Sequence, residues 1–228
     1  MEILLDTANI EAIEKYAAAL PLAGVTTNPS ILKKEGNIEF FSHMRKIREI
    51  IGTNRSLHVQ VVAQDKAGMV KDAKTLLEQL DQEIYIKVPA NEVGLEAIKE
   101  LKSEGLNVTA TAIYSKFQAY LAIAAGADYI APYFNRMENI GIKAPEAIAA
   151  MANEIQQSAS KTKIVAASFK NVDQVTTALE EGAQAVTVAP DIIKQALAMP
   201  SIAQAVEDFA VDWESIFGKN STIASLKI

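Results

Sequence analysis

The stretch Ala125-Gly126-Ala127-Asp128-Tyr129-Ile130 joins the end of a helical segment to a short apolar strand. Glycine at such a junction ends a helix well, because it adopts the left-handed backbone conformation without a steric penalty. Three other stretches have the same form: Ala23–Thr26, Glu104–Val108 and Glu181–Val186. The repeated junction predicts strands that alternate with helices, and this alternation is typical of a parallel sheet.

Eight short apolar strands follow from this pattern. They are predicted at Ile3–Leu5, Gly24–Thr26, Leu57–Val62, Ile84–Val88, Asn107–Ala112, Tyr129–Ala131, Ile164–Ala167 and Ala185–Val188. Helices are predicted near residues 10–19, 37–51, 66–79, 92–103, 115–124, 144–158, 171–180 and 190–198. Eight such units in 228 residues favour a single closed (β/α)8 TIM barrel. An open doubly wound sheet is the alternative, although no glycine-rich dinucleotide turn follows the first strand.

The C-terminal segment departs from the repeat, because a further helix begins at Pro200 and carries an apolar stripe at helical spacing. The stripe consists of Ile202, Val206, Phe209, Trp213 and Ile216. Since eight helices already surround a barrel, the helix at 200–217 either covers the bottom of the barrel or docks on a neighbouring subunit. We assign residues 1–218 to one barrel domain that includes this helix, and residues 219–228 to a C-terminal tail with a flexible tip.

The composition excludes several classes of protein. The net charge is −6 and the 22 basic residues are scattered, which is unlike a nucleic-acid-binding surface. No apolar run approaches the roughly 20 residues that span a bilayer, so no membrane partner is expected. Cysteine is absent and His43 and His58 are the only histidines, so the sequence predicts no metal site. The first residues do not form a signal peptide, and we therefore expect a cytoplasmic location.

A single lysine, Lys87, interrupts the apolar strand Ile84–Pro89. Burial of an ammonium ion is unfavourable, so the pKa of Lys87 is expected to fall and to leave part of the amine uncharged. A free amine at the end of a buried strand is a nucleophile for carbonyl carbon. Taken alone, the stretch also fits a lysine at a strand end that extends its charged group to water.

Polar side chains occur at the ends of most of the other predicted strands, where the active sites of such barrels lie. They are Asp6, Thr26, Thr27, Asn28, Gln60, Thr109, Thr111, Tyr133, Asn135, Arg136, Ser168 and Lys170. Individually, Asp6 and Ser168 could cap helices and Asn28 could stabilise a turn. Seven strands that each contribute a polar group at the same end, however, indicate one shared site.

Five motifs in this order resemble those of the transaldolase family. They are Leu-Asp-Thr-Ala-Asn at 5–9, Gly-Val-Thr-Thr-Asn-Pro-Ser at 24–30, Ile-Lys-Val-Pro at 86–89, Ala-Pro-Tyr-Phe-Asn-Arg at 131–136 and Ala-Ala-Ser-Phe-Lys at 166–170. The resemblance runs from Met1 to about Gly218 and is greatest to the small fructose-6-phosphate aldolase group. It implies a class I barrel enzyme that works through a lysine Schiff base and needs no metal or other cofactor.

The resemblance also implies a role for each matching residue. Lys87 would form the Schiff base, and Asp6 would bind ketose hydroxyls and assist proton movement. Tyr133 would handle protons, while Thr111 and Gln60 would position a catalytic water. The residues assigned to substrate binding are Asn28 for a hydroxyl, Thr26 and Ala131 in the pocket, and Arg136 and Ser168, with Lys170 as a further contributor, for the phosphate.

Three positions distinguish aldolases from transaldolases within the family that this chain resembles. Transaldolases carry glutamate where this chain has Gln60, and an amide can orient a water but cannot take its proton. Tyr133 stands where transaldolases usually have phenylalanine, and Ala131 stands where they usually have serine. These differences favour an aldolase that reversibly cleaves fructose 6-phosphate, or a similar ketose phosphate, to dihydroxyacetone and glyceraldehyde 3-phosphate.

Two alternatives stay open for the activity. One is a transaldolase that transfers a dihydroxyacetone unit between sugar phosphates of the pentose phosphate pathway, and the other is a sugar-phosphate-binding barrel without turnover. For partners, the resemblance implies a small sugar phosphate and a homo-oligomer. That oligomer would be a pentamer, or a decamer of two pentameric rings, in which the C-terminal helix packs on a neighbour.

Two residues are not explained by the resemblance. His58 lies two residues before Gln60, and Tyr85 lies two residues before Lys87, so strand alternation directs all four side chains into the barrel. We therefore predict that His58 and Tyr85 meet one layer below the site. Either His58 forms a satisfied interior hydrogen bond, or it tunes the pKa of Lys87.

Overall fold

A closed ring of eight parallel strands forms the centre of the computed structural model, which describes residues 1–226. The strands are β1 (Glu2–Asp6), β2 (Gly24–Thr26), β3 (Ser56–Gln60), β4 (Tyr85–Pro89), β5 (Val108–Ile113), β6 (Tyr129–Pro132), β7 (Lys163–Ala166) and β8 (Ala185–Val188). Each strand pairs with the next in the chain, and β1 pairs with β8 to close the ring. The predicted (β/α)8 barrel is confirmed, and the open doubly wound sheet is excluded.

The part of the chain that the structure describes contains eleven α-helices, of which the first ten pack around the ring. They are α1 (Ile10–Ala19), α2 (Pro29–Leu32), α3 (Phe40–Ile51), α4 (Lys66–Gln79), α5 (Glu92–Ser103), α6 (Lys116–Ala124), α7 (Phe134–Asn139), α8 (Ala144–Gln157), α9 (Val172–Glu180), α10 (Pro190–Leu197) and α11 (Pro200–Phe217). Every predicted strand and helix is present, with ends displaced by at most three residues. The short helices α2 and α7 were not predicted.

The hydrophobic core has two parts, because successive residues of a strand face opposite sides of the sheet. The larger part lies between the strands and the helices and includes Leu5 and Ile86. The smaller part fills the inside of the ring, where Leu4, Tyr129 and Val165 pack with two alanines. The polar strand-end residues therefore lie above side chains that fill the inside of the ring.

Helix α5 approaches strand β4 unusually closely at Gly94. A Cβ atom on Gly94 would lie 1.8 Å from the carbonyl oxygen of Pro89, so only a residue without a side chain fits there. Asn91 caps the same helix turn, because its side chain accepts a hydrogen bond from the Gly94 N–H at 2.8 Å. The first turn of α5 thus holds the end of the strand that carries Lys87.

The bottom of the barrel is closed by side chains of the ring itself. Glu2 accepts a hydrogen bond from the Tyr129 hydroxyl at 2.6 Å and forms an ion pair with Lys163 at 2.6 Å. Burial alone would raise the pKa of Glu2, but the hydrogen bonds from Lys163 and Tyr129 outweigh it and lower that pKa below its usual value. These contacts join the first residues of β1, β6 and β7.

Helix α11 does not bury its apolar stripe against the barrel. None of its residues is buried, and Ile202 (45%), Val206 (62%), Phe209 (71%) and Ile216 (73%) are strongly exposed. The role of covering the barrel bottom is therefore excluded, and docking on a neighbouring subunit stays a prediction.

The C-terminal tail contains a short 3₁₀ turn, Ile223–Ser225. Residues 227–228, which include the tip that was expected to be flexible, lie outside the described residues. Within residues 1–226, no helix is long and apolar enough to cross a membrane.

Candidate active site

A cavity of about 240 Å³ opens at the C-terminal ends of the strands, which is the end of the barrel at which the site was predicted. It brings together most of the predicted site residues. Those that line it are Asp6, Asn28, Lys87, Tyr133, Arg136, Ser168 and Lys170. Thr26, Gln60, Thr111 and Ala131 are not among its lining residues.

Lys87 lines this cavity although its side chain is only 4% exposed. Its ammonium group donates a hydrogen bond to the carbonyl oxygen of Thr27 at 2.8 Å. Burial lowers the pKa of Lys87, and the nearby carboxylate of Asp6 offsets only part of that effect. A lysine that extends its charged group to bulk water is thus excluded, and the amine is available as a nucleophile at lower pH than an exposed lysine.

Asp6 sits at the end of β1 and is held by Thr26, which is in turn bonded to Thr187. Thr26 donates a hydrogen bond from its hydroxyl to the Asp6 carboxylate at 2.8 Å, and the hydroxyls of Thr26 and Thr187 lie 2.7 Å apart. Because Thr26 has a single hydroxyl proton and gives it to Asp6, Thr187 must be the donor in the second bond. Burial raises the pKa of Asp6, against the opposing effects of Lys87 and of the Thr26 hydrogen bond.

Thr26 therefore supports Asp6 instead of facing the substrate cavity. Its side chain is 1% exposed and its hydroxyl is occupied on both sides. Sequence reasoning missed Thr187, although its position inside the apolar strand Ala185–Val188 was a usable signal.

Tyr133 lies at the start of α7 and is oriented by three neighbours. Its hydroxyl is 3.0 Å from the hydroxyl of Thr111, and the guanidinium of Arg136 lies 4.8 Å from the centre of its ring. Arg136 also donates a hydrogen bond to the hydroxyl of Tyr114 at 3.0 Å, and the two tyrosine rings pack edge to face. Burial raises the pKa of Tyr133, so the phenol is protonated at neutral pH.

Ser168 adopts a backbone conformation that is rare for a residue with a side chain. Its φ angle is +65°, in the left-handed region, where a residue other than glycine is strained. The turn around it is fixed because Phe169 packs on Phe134 and the side chain of Gln174 accepts the Lys170 N–H at 2.8 Å. The strained turn places Ser168 and Lys170 in the cavity wall.

Of the three residues that could have had a purely local structural role, two do not cap a helix and one does. Asp6 and Ser168 do not cap helices, because Asn9 and Asn171, each three residues further along, cap α1 and α9. Asn28 does cap α2, with its side-chain oxygen accepting the Ile31 N–H at 3.0 Å. Its side chain nevertheless borders the cavity as well.

Gln60 and Ala131 do not line this cavity, although Gln60 pairs with Lys87 in the sheet. Gln60 is partly buried and lines a neighbouring, mainly apolar cavity of about 400 Å³. No direct hydrogen bond among the described residues joins it to Thr111 or Tyr133, and the positioning of a catalytic water by Gln60 and Thr111 stays a prediction. Ala131 is 2% exposed and packs in the interior core.

The predicted contact between His58 and Tyr85 is confirmed. Their rings stack with centres 4.6 Å apart and planes 12° from parallel, and Tyr129 packs edge-on against both. The His58 nitrogens lie 2.8 Å from the Thr109 hydroxyl and 3.0 Å from the Ser56 hydroxyl. Burial, followed by the charge of Lys87, lowers the pKa of His58 well below its usual value, so the ring is neutral.

Further residues around the cavity were missed by sequence reasoning. They include Ser30, Lys34 and Asp191. These residues lie in the segments after β2 and β8, where no strand alternation indicates which side chains face inward. In residues 1–226, no group of three or more histidine, aspartate or glutamate side chains is arranged to hold a metal ion.

The family model described as Transaldolase/Fructose-6-phosphate aldolase matches residues 3–224 of this chain. A "Probable fructose-6-phosphate aldolase" of Streptococcus pneumoniae (strain ATCC 700669 / Spain 23F-1) is 53% identical to it over 213 residues. That alignment covers 93% of this chain and 96% of the relative. The similarity extends over nearly the whole molecule, and the family match includes every candidate residue from Asp6 to Lys170.

Proposed function

The chain belongs to the transaldolase/fructose-6-phosphate aldolase family, and from this premise we propose that it is a class I aldolase. It reversibly cleaves fructose 6-phosphate, or a similar ketose phosphate, to dihydroxyacetone and glyceraldehyde 3-phosphate. The observation that carries the proposal is the buried Lys87 amine, which lines one cavity together with Asp6 and Tyr133. No metal or other cofactor takes part in the proposed reaction.

The reaction begins with the Lys87 amine. Its nitrogen bonds to the ketone carbon of the substrate, and the carbonyl oxygen leaves as water to give an iminium ion. Asp6, whose pKa burial raises, assists the proton transfers that this dehydration needs. The iminium then accepts the electron pair of the adjacent carbon–carbon bond as that bond breaks.

Bond cleavage requires that the hydroxyl group on the departing fragment lose its proton. In the reverse, synthetic direction the aldehyde oxygen must gain a proton, and the protonated phenol of Tyr133 is suited to donate it. In cleavage the same proton moves the opposite way, from the substrate hydroxyl to the phenolate form of Tyr133, whose oxygen lies 3.0 Å from the Thr111 hydroxyl. Such general acid–base assistance contributes roughly 10²- to 10⁴-fold in rate.

After cleavage, glyceraldehyde 3-phosphate leaves and a three-carbon enamine stays on Lys87. Protonation of the enamine carbon restores the iminium, and hydrolysis releases dihydroxyacetone and the free amine. Arg136 and Ser168, with Lys170 beside them, bind the phosphate through charge-assisted hydrogen bonds. Asn28, which lines the same cavity, contributes a ligand for a substrate hydroxyl.

Cleavage is favoured over transfer by Gln60 and by the name of the similar relative. An amide at this position cannot take a proton from water, and the S. pneumoniae protein is described as a probable aldolase. Transfer of the three-carbon unit to a second sugar phosphate is the competing outcome. It needs the enamine to survive until an acceptor aldehyde arrives.

The deciding experiment incubates the protein with fructose 6-phosphate, alone and with erythrose 4-phosphate. We expect steady release of glyceraldehyde 3-phosphate without the acceptor, and a borohydride-trapped adduct on Lys87. Release that depends on erythrose 4-phosphate would instead identify a transaldolase. Lys87→Met is the control, and binding without any trapped adduct in the unmodified protein would contradict both enzymatic assignments.

We also propose that the protein assembles with copies of itself through α11, as a pentamer or a decamer. The proposal is supported by the exposed stripe that includes Val206 and Phe209. A cytoplasmic location likewise stays a prediction.

A further inference from the structure

A lysine that lies outside the five motifs contributes to the cavity. Lys34 lines it together with Arg136 and Lys170, yet neither the motifs nor the reaction steps above use it. It lies in the 3₁₀ turn Lys33–Glu35, which directly follows α2. Since Lys34 is itself exposed, it borders the outer part of the cavity and not the buried region around Lys87.

The turn that carries Lys34 is held at both ends. Before it, Asn28 caps α2 and Ile31 is buried in the core. After it, the Glu35 carboxylate accepts a hydrogen bond from the side-chain amide of Asn9 at 3.2 Å, and Asn9 itself caps α1. The backbone of Lys34 is therefore positioned by two neighbouring helices. Lys33 is also exposed but does not line the cavity.

The charges around the cavity leave a positive surplus. Lys34, Arg136 and Lys170 form none of the ion pairs found among residues 1–226. Asp191 is the carboxylate that accompanies them, while Asp6 balances Lys87 deeper inside. Three cations against one carboxylate leave an excess of two positive charges. A phosphate monoester carries about −1.5 to −2 charges at neutral pH, which matches that excess.

Without Lys34 the surplus would fall to a single positive charge, which is less than the charge of the phosphate. We propose that Lys34 binds the phosphate of the substrate, so that the anionic end is held between the turn after α2 and the segments after β6 and β7. This inference rests on the proposed function, and it makes the preference for phosphorylated substrates depend on a residue outside the motifs.

The test compares Lys34→Met with Lys33→Met. The second variant removes an identical charge from the neighbouring residue, which does not line the cavity. Each protein is assayed in the synthetic direction with dihydroxyacetone and either glyceraldehyde 3-phosphate or uncharged glyceraldehyde. For Lys34→Met we expect KM for glyceraldehyde 3-phosphate to rise roughly tenfold, as for the loss of one charge-assisted hydrogen bond in a partly hydrated site. We expect kcat, and KM for glyceraldehyde, to stay close to those of the unmodified protein.

Lys33→Met should behave as the unmodified protein with both aldehydes. Equal KM values for glyceraldehyde 3-phosphate in the two variants would overturn the role of Lys34. So would a loss in Lys34→Met that is the same for charged and uncharged aldehydes, since it would indicate a general disturbance of the site.

Direct binding keeps this test separate from that of the proposed reaction. If the unmodified protein neither turns over nor traps an adduct, the proposed aldolase fails, and calorimetric titration with fructose 6-phosphate still examines Lys34. Weaker binding to Lys34→Met than to Lys33→Met supports the phosphate contact, and equal binding refutes it.

Discussion

At the level of single residues, the chemistry depends on an amine that burial keeps from being fully protonated. Lys87 is buried in an apolar strand, and Asp6 is the carboxylate that faces it. Because the folded protein releases the Lys87 proton more readily than the unfolded chain, burial of this amine opposes folding below about pH 10.5. That opposition disappears as the pH rises through the window between the lowered and the ordinary pKa.

The same shift predicts the pH dependence of Schiff-base formation. With dihydroxyacetone and cyanoborohydride, the initial rate of adduct formation on Lys87 should rise with pH. It should reach half its maximum below pH 10.5, the ordinary pKa of lysine. Mass spectrometry of the trapped protein measures this rate. A midpoint at or above the ordinary value would show that burial does not activate the amine.

His58 has the contacts of a structural residue, because both ring nitrogens are within hydrogen-bond distance of hydroxyls and the ring stacks on Tyr85. His58→Phe should retain the stacking but leave the hydroxyls of Thr109 and Ser56 without this partner. We expect the free energy of unfolding to fall by about 2 kcal/mol, measured by urea denaturation. The pH midpoint of adduct formation should not move.

Tyr85→Phe is the matched control for His58→Phe, since the Tyr85 hydroxyl makes no hydrogen bond within residues 1–226. It should change neither the stability nor the midpoint appreciably. A shifted midpoint in His58→Phe, with Tyr85→Phe unchanged, would instead show that His58 tunes the pKa of Lys87.

Alternation along strands explains why much of the candidate site could be predicted. A polar residue within a strand, such as Asp6 or Lys87, must face one side of the sheet, and the apolar neighbours identify the other side as the core. Strand alternation does not indicate which side chains meet across the ring. The contact between Thr26 and Thr187, which are 161 positions apart in the chain, could not be predicted from it. Residues of loops and turns, such as Lys34, could not be assigned for the same reason.

At the level of elements, the two short helices that sequence periodicity missed are those that shape the cavity. Helix α2 has four residues and α7 has six, too few for an apolar period to repeat. The Asn28-Pro29 pair is nevertheless a start signal, with a capping side chain followed by proline at the first helical position. Helix α7 has no side-chain cap, but its turn brings the Arg136 guanidinium over the ring of Tyr133.

The stripe on α11 predicts a surface for self-assembly. Phe209 is 71% exposed and is no part of the core, so Phe209→Asp should leave the fold of the single chain nearly unchanged. It should nonetheless lower the mass of the particle in solution, because a carboxylate would be buried in the interface. Light scattering gives the mass, and circular dichroism confirms that helix content is retained.

Glu207→Gln on the same helix is the control and should assemble as the unmodified protein does. Trp213 is the single tryptophan of the chain and packs on Phe217, so its emission reports on this helix. Emission that shifts with protein concentration in the unmodified chain, and not in Phe209→Asp, would support assembly through α11. A monomer at every concentration would contradict it.

At the level of the whole molecule, repetition made the fold predictable. Four junctions with glycine between helix and strand set the spacing, and eight parallel strands form a barrel whose interior side chains can fill. The sequence did not predict which side chains fill the interior of the ring, because that depends on the stagger between strands. Strand alternation predicted the contact between His58 and Tyr85, which lie on the neighbouring strands β3 and β4. It did not predict that Tyr129 packs against them, because β6 is not adjacent to either strand.

Closure of the ring by β1 and β8 also has a consequence for biosynthesis. Glu2 pairs with Ala185, so the first strand of the barrel to leave the ribosome stays unpaired on its β8 side until the 183 residues that follow Glu2 have been synthesised. At translation rates of about 5–20 residues per second, that delay is on the order of ten seconds. During it the nascent barrel presents an open edge to other polypeptides. The acidic residues at the two ends of β1, Glu2 and Asp6, limit this exposure.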